Sequence, residues 1–256
     1  MKKLKAIKTQ NSHKKNNFIF MCSSILLFLL LLKLNTFAKN PDDVDMNEYV
    51  IKSAESFPRD GTHKYFLPRN EYVYDGCTTN VIFMNQIVMK GEPQKRTFCC
   101  GFTLEVFWKA LNQFLKDFNL QSAGALTPEV SAYFMKLWFV REKNGDGPGD
   151  AMEKYGCGIR IPDFEQTRRG DFIQLWRHSG TGHSVILWDL IRDNNGKLKG
   201  FKYLSSQPKT SGIGFATEDF GTTTGLAIER CHISRMTPPS TWKNSRNEKS
   251  ARQSSK

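Results

Sequence analysis

From Phe98 onward, apolar residues recur every three or four positions: Phe102, Val106, Ala110, Leu111, Phe114, Leu115 and Phe118. Lys109, Asn112, Gln113, Lys116 and Asp117 fill the opposite side. That spacing predicts a long amphipathic helix with one face in a core. A second helix is predicted from Thr127-Pro128-Glu129, with threonine as N-cap and proline at the first helical position; Val130, Phe134, Leu137 and Trp138 form its stripe. After a Gly/Asp/Pro loop at residues 144–149, a short helix over about 150–155 stops at Gly156. The period then switches to two. Residues 171–177 and 183–191 are β-rich and joined by Ser179-Gly180-Thr181-Gly182. Asn195-Gly196 signals a hairpin into a strand over 200–207, and 226–233 is a further strand. Helices followed by an antiparallel meander predict an α+β domain.

The ends have a different character. Residues 39–60 are polar, contain Pro41 and Pro58, and read as a linker or leading arm to a domain over 61–242. Residues 243–256 are rich in Ser, Lys, Arg, Asn and Gln and read as a disordered basic tail. At the start, six lysines precede an apolar run over 18–32, and the small residues Thr36 and Ala38 follow. This is the pattern of a secretory signal peptide over 1–38, with cleavage after Ala38. The rival is an uncleaved anchor, since Leu34 extends the run; the run itself falls short of the roughly 20 residues that span a bilayer. Either way the domain works outside the cytoplasm, secreted or periplasmic, and meets a membrane only through this segment. Cys22 sits early in the run and reads as an apolar filler.

Charge changes the picture only when split by region. The chain of 256 residues has 37 Lys+Arg against 25 Asp+Glu, a formal +12. Residues 1–38 hold seven lysines and no acid, and 243–256 hold five basic residues and one acid. That leaves 25 basic against 24 acidic residues between them. The basic excess lies at the two ends, so a cationic groove for nucleic acid is not supported.

Outside the cytoplasm, Cys77, Cys99, Cys100, Cys157 and Cys231 are an odd set. Two disulfides and one free thiol are expected, with Cys157–Cys231 as the favoured pair. The free thiol is either a buried small hydrophobe or a nucleophile. Cys99 stands at the start of the long helix in Phe98-Cys99-Cys100-Gly101-Phe102. There the helix dipole and unpaired backbone N–H groups favour thiolate. His183 opens a strand after a glycine turn, and Gln207 lies one hairpin later, where its amide oxygen can hold the imidazole. Ser205 and Ser206 compete with Gln207 for that part, and Cys100 competes with Cys99. Nucleophile, base and orienting group in this order form a Cys-His-polar triad. His178, His183, Cys157 and Cys231 form no close-spaced ligand pair for zinc. Asn144-Gly145-Asp146-Gly147 lacks the ligands of a calcium loop and reads as a turn; Asp171 reads as fixing a turn. No metal and no cofactor is expected.

These motifs resemble the NlpC-type papain-fold cysteine peptidases and amidases of bacterial cell walls, with the CHAP amidases close behind. The match runs patchily over about 70–215. Cys99-Cys100-Gly101-Phe102 is similar to the family's Cys-Ser-Gly-Phe at a helix start. Gly170-Asp171 before an apolar strand and Gly182-His183 before Ser184-Val185-Ile186-Leu187 match the next two motifs. Tyr72-Val73-Tyr74-Asp75-Gly76 echoes an upstream Tyr-x-aromatic-Gly-Gly pattern, although β-strand aromatics read the same way; in the family the first tyrosine helps polarise the substrate carbonyl, which here is Tyr72. The resemblance implies a papain-like (NlpC/CHAP-type) fold with N-terminal helices packed on an antiparallel sheet. It implies hydrolysis of amide or peptide bonds, with cell-wall peptide as substrate, by Cys99, His183, Gln207 and Tyr72. The departures are Asp75 for a glycine, Cys100 for serine, and about 80 residues between Cys99 and His183. The alternative from another class is a non-catalytic extracellular binding module with Cys99 and Cys100 tied in disulfides.

Overall fold

The periodicity of the long helix is realised closely. In the computed structural model, which describes residues 40–68, 74–142, 145–221, 225–239 and 242, helix α2 runs Cys99–Asp117. Its apolar face is buried from Phe102 to Leu115. Ahead of it lie helix α1 (Met46–Glu55) and a hairpin of β1 (Val81–Phe83) and β2 (Gln86–Met89). Behind it come α3 (Ser131–Trp138), α4 (Pro148–Tyr155) and β3 (Gly158–Ile161). The meander follows as β4 (Phe172–Trp176), β5 (Gly182–Arg192), β6 (Leu198–Gln207) and β7 (Gly212–Asp219), with β8 (His232–Met236) last.

The architecture is mixed α+β. A six-stranded antiparallel sheet has the order β3-β8-β4-β5-β6-β7. Strand alternation divides its apolar side chains between two faces. Phe172, Ile186 and Leu204 join the helices in one large core with Phe102, Phe107, Trp108, Phe134 and Trp138. Ile173, Leu175, Val185, Leu187, Phe201 and Tyr203 form a smaller core on the other face, under Phe164 and Leu226. Phe107 touches Trp108, Phe134, Trp138 and Phe172 with ring centroids 5.1–6.4 Å apart, so this aromatic knot ties α2 and α3 to β4. Truncating Phe107 to alanine would cost about 3–5 kcal/mol.

Residues 39–60 are not a linker. Met46, Val50 and Ala54 recur at helical spacing, and with Val44 and Phe57 they are buried in the large core. Asp45 caps α1 by accepting the Asn47 N–H at 3.0 Å. Asn47 Nδ2 also donates to Asp171 Oδ1 at 2.8 Å, tying α1 to the turn before β4. The described domain therefore takes in this helix. The last strand is also displaced from the predicted 226–233. Leu226 makes only an isolated bridge to Arg177, Ile228–Arg230 is a 3-10 turn, and β8 begins at His232. The hairpin β1–β2 was not foreseen; its two-residue turn puts Met84 and Asn85 at φ 47° and 63°, the left-handed geometry of a tight hairpin. The proposed signal segment, Tyr72 and the basic tail lie outside the described residues.

The expected Cys157–Cys231 bridge is not formed, and all five described cysteines are free thiols. The ladder explains it. Antiparallel pairing sets Gly158 opposite Met236 and Ile161 opposite Ile233. Cys157 therefore faces Thr237, whose N–H it accepts at 3.2 Å, and Cys231 stands six residues away. At about 3.3 Å per residue the separation is on the order of 20 Å, far beyond the roughly 7 Å between Cα atoms that a disulfide tolerates. Cys157 also sits in the large core and Cys231 against the small one.

Candidate active site

The start of α2 is held from three sides. Thr97 pairs through its backbone with the segment before it, donating to Lys64 O at 3.0 Å and accepting from Phe66 N–H at 2.9 Å. Ser206 Oγ on β6 donates to Thr97 O at 3.1 Å. Gly76 accepts the Phe98 N–H at 3.3 Å and the Thr97 hydroxyl. Gly101 must be glycine here: a Cβ would stand 2.2 Å from the Gly76 carbonyl oxygen. The Asp75-Gly76 and Cys99-Cys100-Gly101 motifs are thus in direct contact. Glu105, one turn on, is fully buried and accepts Thr78 N–H at 2.7 Å and Thr78 Oγ1 at 2.8 Å, holding the same loop. Asp75 serves this loop too, accepting Lys90 N–H at 2.6 Å.

Phe98 is the N-cap residue and offers no side-chain cap. The first N–H groups of α2 are therefore left without intrahelical partners around Cys99. Farther along, Thr103 Oγ1 lies 2.8 Å from Ser184 Oγ and accepts Trp138 Nε1–H at 3.0 Å, which fixes α2 against β5 and α3.

His183 is the second residue of β5, buried to 8% exposure beside Cys99. Its Nε2–H donates to Gln207 Oε1 at 3.1 Å. That leaves Nδ1 as the ring nitrogen available to the thiol. The Cys99 thiol is held well below the ordinary range. The hydrogen bond from the Cys100 thiol contributes most, burial opposes it, and the hydrogen bond and charge of His183 and the Ser184 N–H add to the lowering. Cys100 moves the opposite way, raised by donating to Cys99, by burial and by the neighbouring thiolate. The two sulfurs are 3.7 Å apart. Between the competing thiols, the opposite shifts favour Cys99 as the thiolate and Cys100 as the donor, with Cys100 packed against the large core.

The other cysteines behave as small hydrophobes. Burial raises Cys77 and Cys157 far above the thiol range and Cys231 to about 11. Ser205 and Ser206, which competed with Gln207, point elsewhere: Ser205 Oγ donates to Ser184 O at 2.7 Å and Ser206 Oγ to Thr97 O. His178 is exposed and stands apart from the cluster. Asp171 accepts Arg168 N–H at 2.8 Å, as a turn-fixing carboxylate does, and it also takes Arg235 at 2.7 Å.

Tyr203 belongs to this network and was missed in the sequence. Its hydroxyl lies 3.1 Å from Gln207 Oε1 and 3.3 Å from Glu218 Oε1. Its ring meets the His183 imidazole edge to face at 5.8 Å. Burial and the Glu218 charge push its phenol up, so it stays a donor. Arg177 binds Glu218 from the far side. The signal was available: Tyr203 and Gln207 are four residues apart on one strand, so they share a face. Tyr65, Arg177, Tyr203, Lys209 and Glu218 line a cleft of about 660 Å³ with His183 and Gln207 on its wall. The arrangement can generate a thiolate, take and return a proton, and present backbone N–H groups to a developing oxyanion. Among the described residues no group of His, Cys, Asp and Glu is placed to hold a metal ion. Neither a scan against protein-family models nor a search of curated proteins returns a match.

Proposed function

We propose that this protein is a cysteine hydrolase of the papain-like type, cleaving amide or peptide bonds through a thioester. The observation that carries the reading is the chain Cys99–His183–Gln207. It consists of a thiol lowered at a helix start, an imidazole beside it, and an amide oxygen 3.1 Å from the far ring nitrogen. Cys99 attacks the carbonyl, and the N–H groups at the start of α2 stabilise the oxyanion. His183 protonates the leaving amine and then activates water to release the acid. Gln207 keeps the ring in the tautomer that leaves Nδ1 facing sulfur, and Tyr203 braces Gln207. Tyr72 stands in the proposal as an aid to carbonyl polarisation, on the motif alone.

The placement of a cysteine helix across a sheet that supplies His from one strand and Gln from the next supports a papain-like variant of the NlpC/CHAP type. The motif resemblance adds peptidoglycan peptide as the substrate, and the basic, apolar N-terminal segment adds export to the periplasm or beyond. The free state of Cys99 and Cys100 favours the enzyme over a binding module with both thiols tied. The test is release of new amines from peptidoglycan fragments by the purified protein. Activity that disappears in Cys99→Ala supports the reading. A folded, reduced protein that cleaves neither these nor other peptide amides, and forms no adduct with a peptidyl electrophile, removes it.

A further inference from the structure

In the proposed hydrolysis Cys100 serves only to lower the Cys99 thiol, and its own sulfur takes no part in the bond making and breaking. Its sulfur lies 3.7 Å from that of Cys99, at van der Waals contact. Among the described residues no other thiol is placed to resolve Cys99. Cys77 is fully buried, its thiol donating to Lys90 O at 3.3 Å. Cys157 is fully buried at the α4–β3 junction, and Cys231 packs against the core on the opposite face of the sheet. Cys99 and Cys100 are only half-buried, so a small oxidant can reach them.

We propose that Cys99 and Cys100 form a hydroperoxide-sensitive pair, in which Cys99 is oxidised and Cys100 resolves it as a reversible vicinal disulfide. In the first step the Cys99 thiolate attacks the distal oxygen of a hydroperoxide. The O–O bond breaks, sulfur becomes a sulfenic acid, and the alkoxide takes a proton and leaves as alcohol, or as water from hydrogen peroxide. In the second step the Cys100 sulfur attacks the Cys99 sulfur. The S–O bond breaks, and hydroxide leaves with the Cys100 proton as water. Two thiols have lost two electrons and the peroxide has gained them.

The product is built to be temporary. Adjacent Cα atoms are about 3.8 Å apart across a trans peptide, closer than the roughly 4.4–6.8 Å of ordinary disulfides. The bridge closes a small ring and strains the first turn of α2, and strained disulfides are the readily reduced ones. Without Cys100, an exposed sulfenic acid proceeds to sulfinic and sulfonic acids, which thiols do not reverse. The pair therefore caps a reactive sulfur in a form that a thiol reductant restores.

The test reads sulfur rather than hydrolysis, so it stands or falls independently of the substrate. Reduced full-length protein is treated with a several-fold molar excess of hydrogen peroxide, enough to carry an unresolved thiol to sulfinic or sulfonic acid, and the peptide carrying both cysteines is examined by mass. The expected result is loss of two hydrogens on that peptide, simultaneous loss of alkylation at both cysteines, and full recovery with dithiothreitol. In Cys100→Ser the same peptide should instead gain two or three oxygens that dithiothreitol does not remove. Circular dichroism shows whether this variant folds, and Cys100→Ala serves if it does not. Wild-type protein in which Cys99 gains oxygens while Cys100 still alkylates overturns the proposal. So does a Cys100→Ser protein that recovers as fully as wild type.

Discussion

Two corners of the sheet each set a histidine beside a cleft, and they differ in what holds the ring. His183, at the start of β5, borders the cleft of about 660 Å³ and donates to a neutral amide. His232, at the start of β8, borders one of about 560 Å³ and lies 3.1 Å from Asp146 Oδ1. Asp146 is already engaged at its other oxygen by Arg160, 3.0 Å away, and Arg160 also binds Asp150 and Glu153. The second corner is an ion cluster that closes on itself, pinning α4, β3 and β8. In the first, one ring nitrogen is fixed and the other meets a thiol at a helix start. A histidine with a hydrogen-bonded partner is common to both; the thiol on its free side distinguishes them.

The comparison can be broken most severely at the first corner. Cys99→Ala should reduce amide hydrolysis to the uncatalysed background, and His183→Ala should lower kcat/KM by about 10²–10⁴-fold, both read by amine release. Gln207→Ala should cost less, up to about 10²-fold, because a ring that can turn is misplaced rather than absent. The loss should fall in kcat and be partly recovered in Gln207→Asn if the shorter amide still reaches the ring. At the second corner, His232→Ala should leave hydrolysis within twofold, about the scatter expected away from the chemistry, and should change stability by about 1 kcal/mol or less, as for a partly exposed ion pair. A chemical denaturation curve with the midpoint compared to wild type checks it. A His232 variant as inactive as the His183 variant would erase the distinction between the corners.

The sequence revealed the parts of the site better than its supports. Cys99, His183 and Gln207 each sit at the end of a regular element, where periodicity changes and a motif stands out. Tyr203 and Ser184 lie inside strands, where a tyrosine or serine looks like ordinary sheet composition; spacing alone puts Tyr203 on the same face as Gln207, but the packing of α2 on β5 is what brings the Ser184 N–H to Cys99. Helix α1 was missed because polar residues outnumber apolar ones over 39–60, although Met46, Val50, Ala54 and Phe57 mark a single face. The cysteine count suggested bridges, but counting carries no register. The antiparallel ladder that separates Cys157 from Cys231 is a property of β3 meeting β8, two strands about seventy residues apart in the chain. The shift of β8 to His232–Met236 has a similar origin: Leu226 and Ile228 are apolar enough for a strand, but the chain needs that stretch to turn.

The central claim is that Cys99, at the start of α2, is a thiolate because the Cys100 thiol donates to it and His183 and the Ser184 N–H add to the lowering. Its lowered thiol pKa means that the reactive anion persists to a lower pH than at an ordinary thiol. The direct measurement is the rate of iodoacetamide alkylation at each cysteine of the folded, reduced protein from pH 5 to 9, read by peptide mass, in wild type and in His183→Ala. Cys99 should label first, and its rate should fall off only at a lower pH than that of an ordinary thiol. In His183→Ala that fall-off should move up toward the ordinary thiol range, while Cys77, Cys157 and Cys231 stay unlabelled at neutral pH in both proteins. A Cys99 rate that climbs tenfold per pH unit through neutrality like a free thiol, or one that does not respond to loss of His183, would contradict the account.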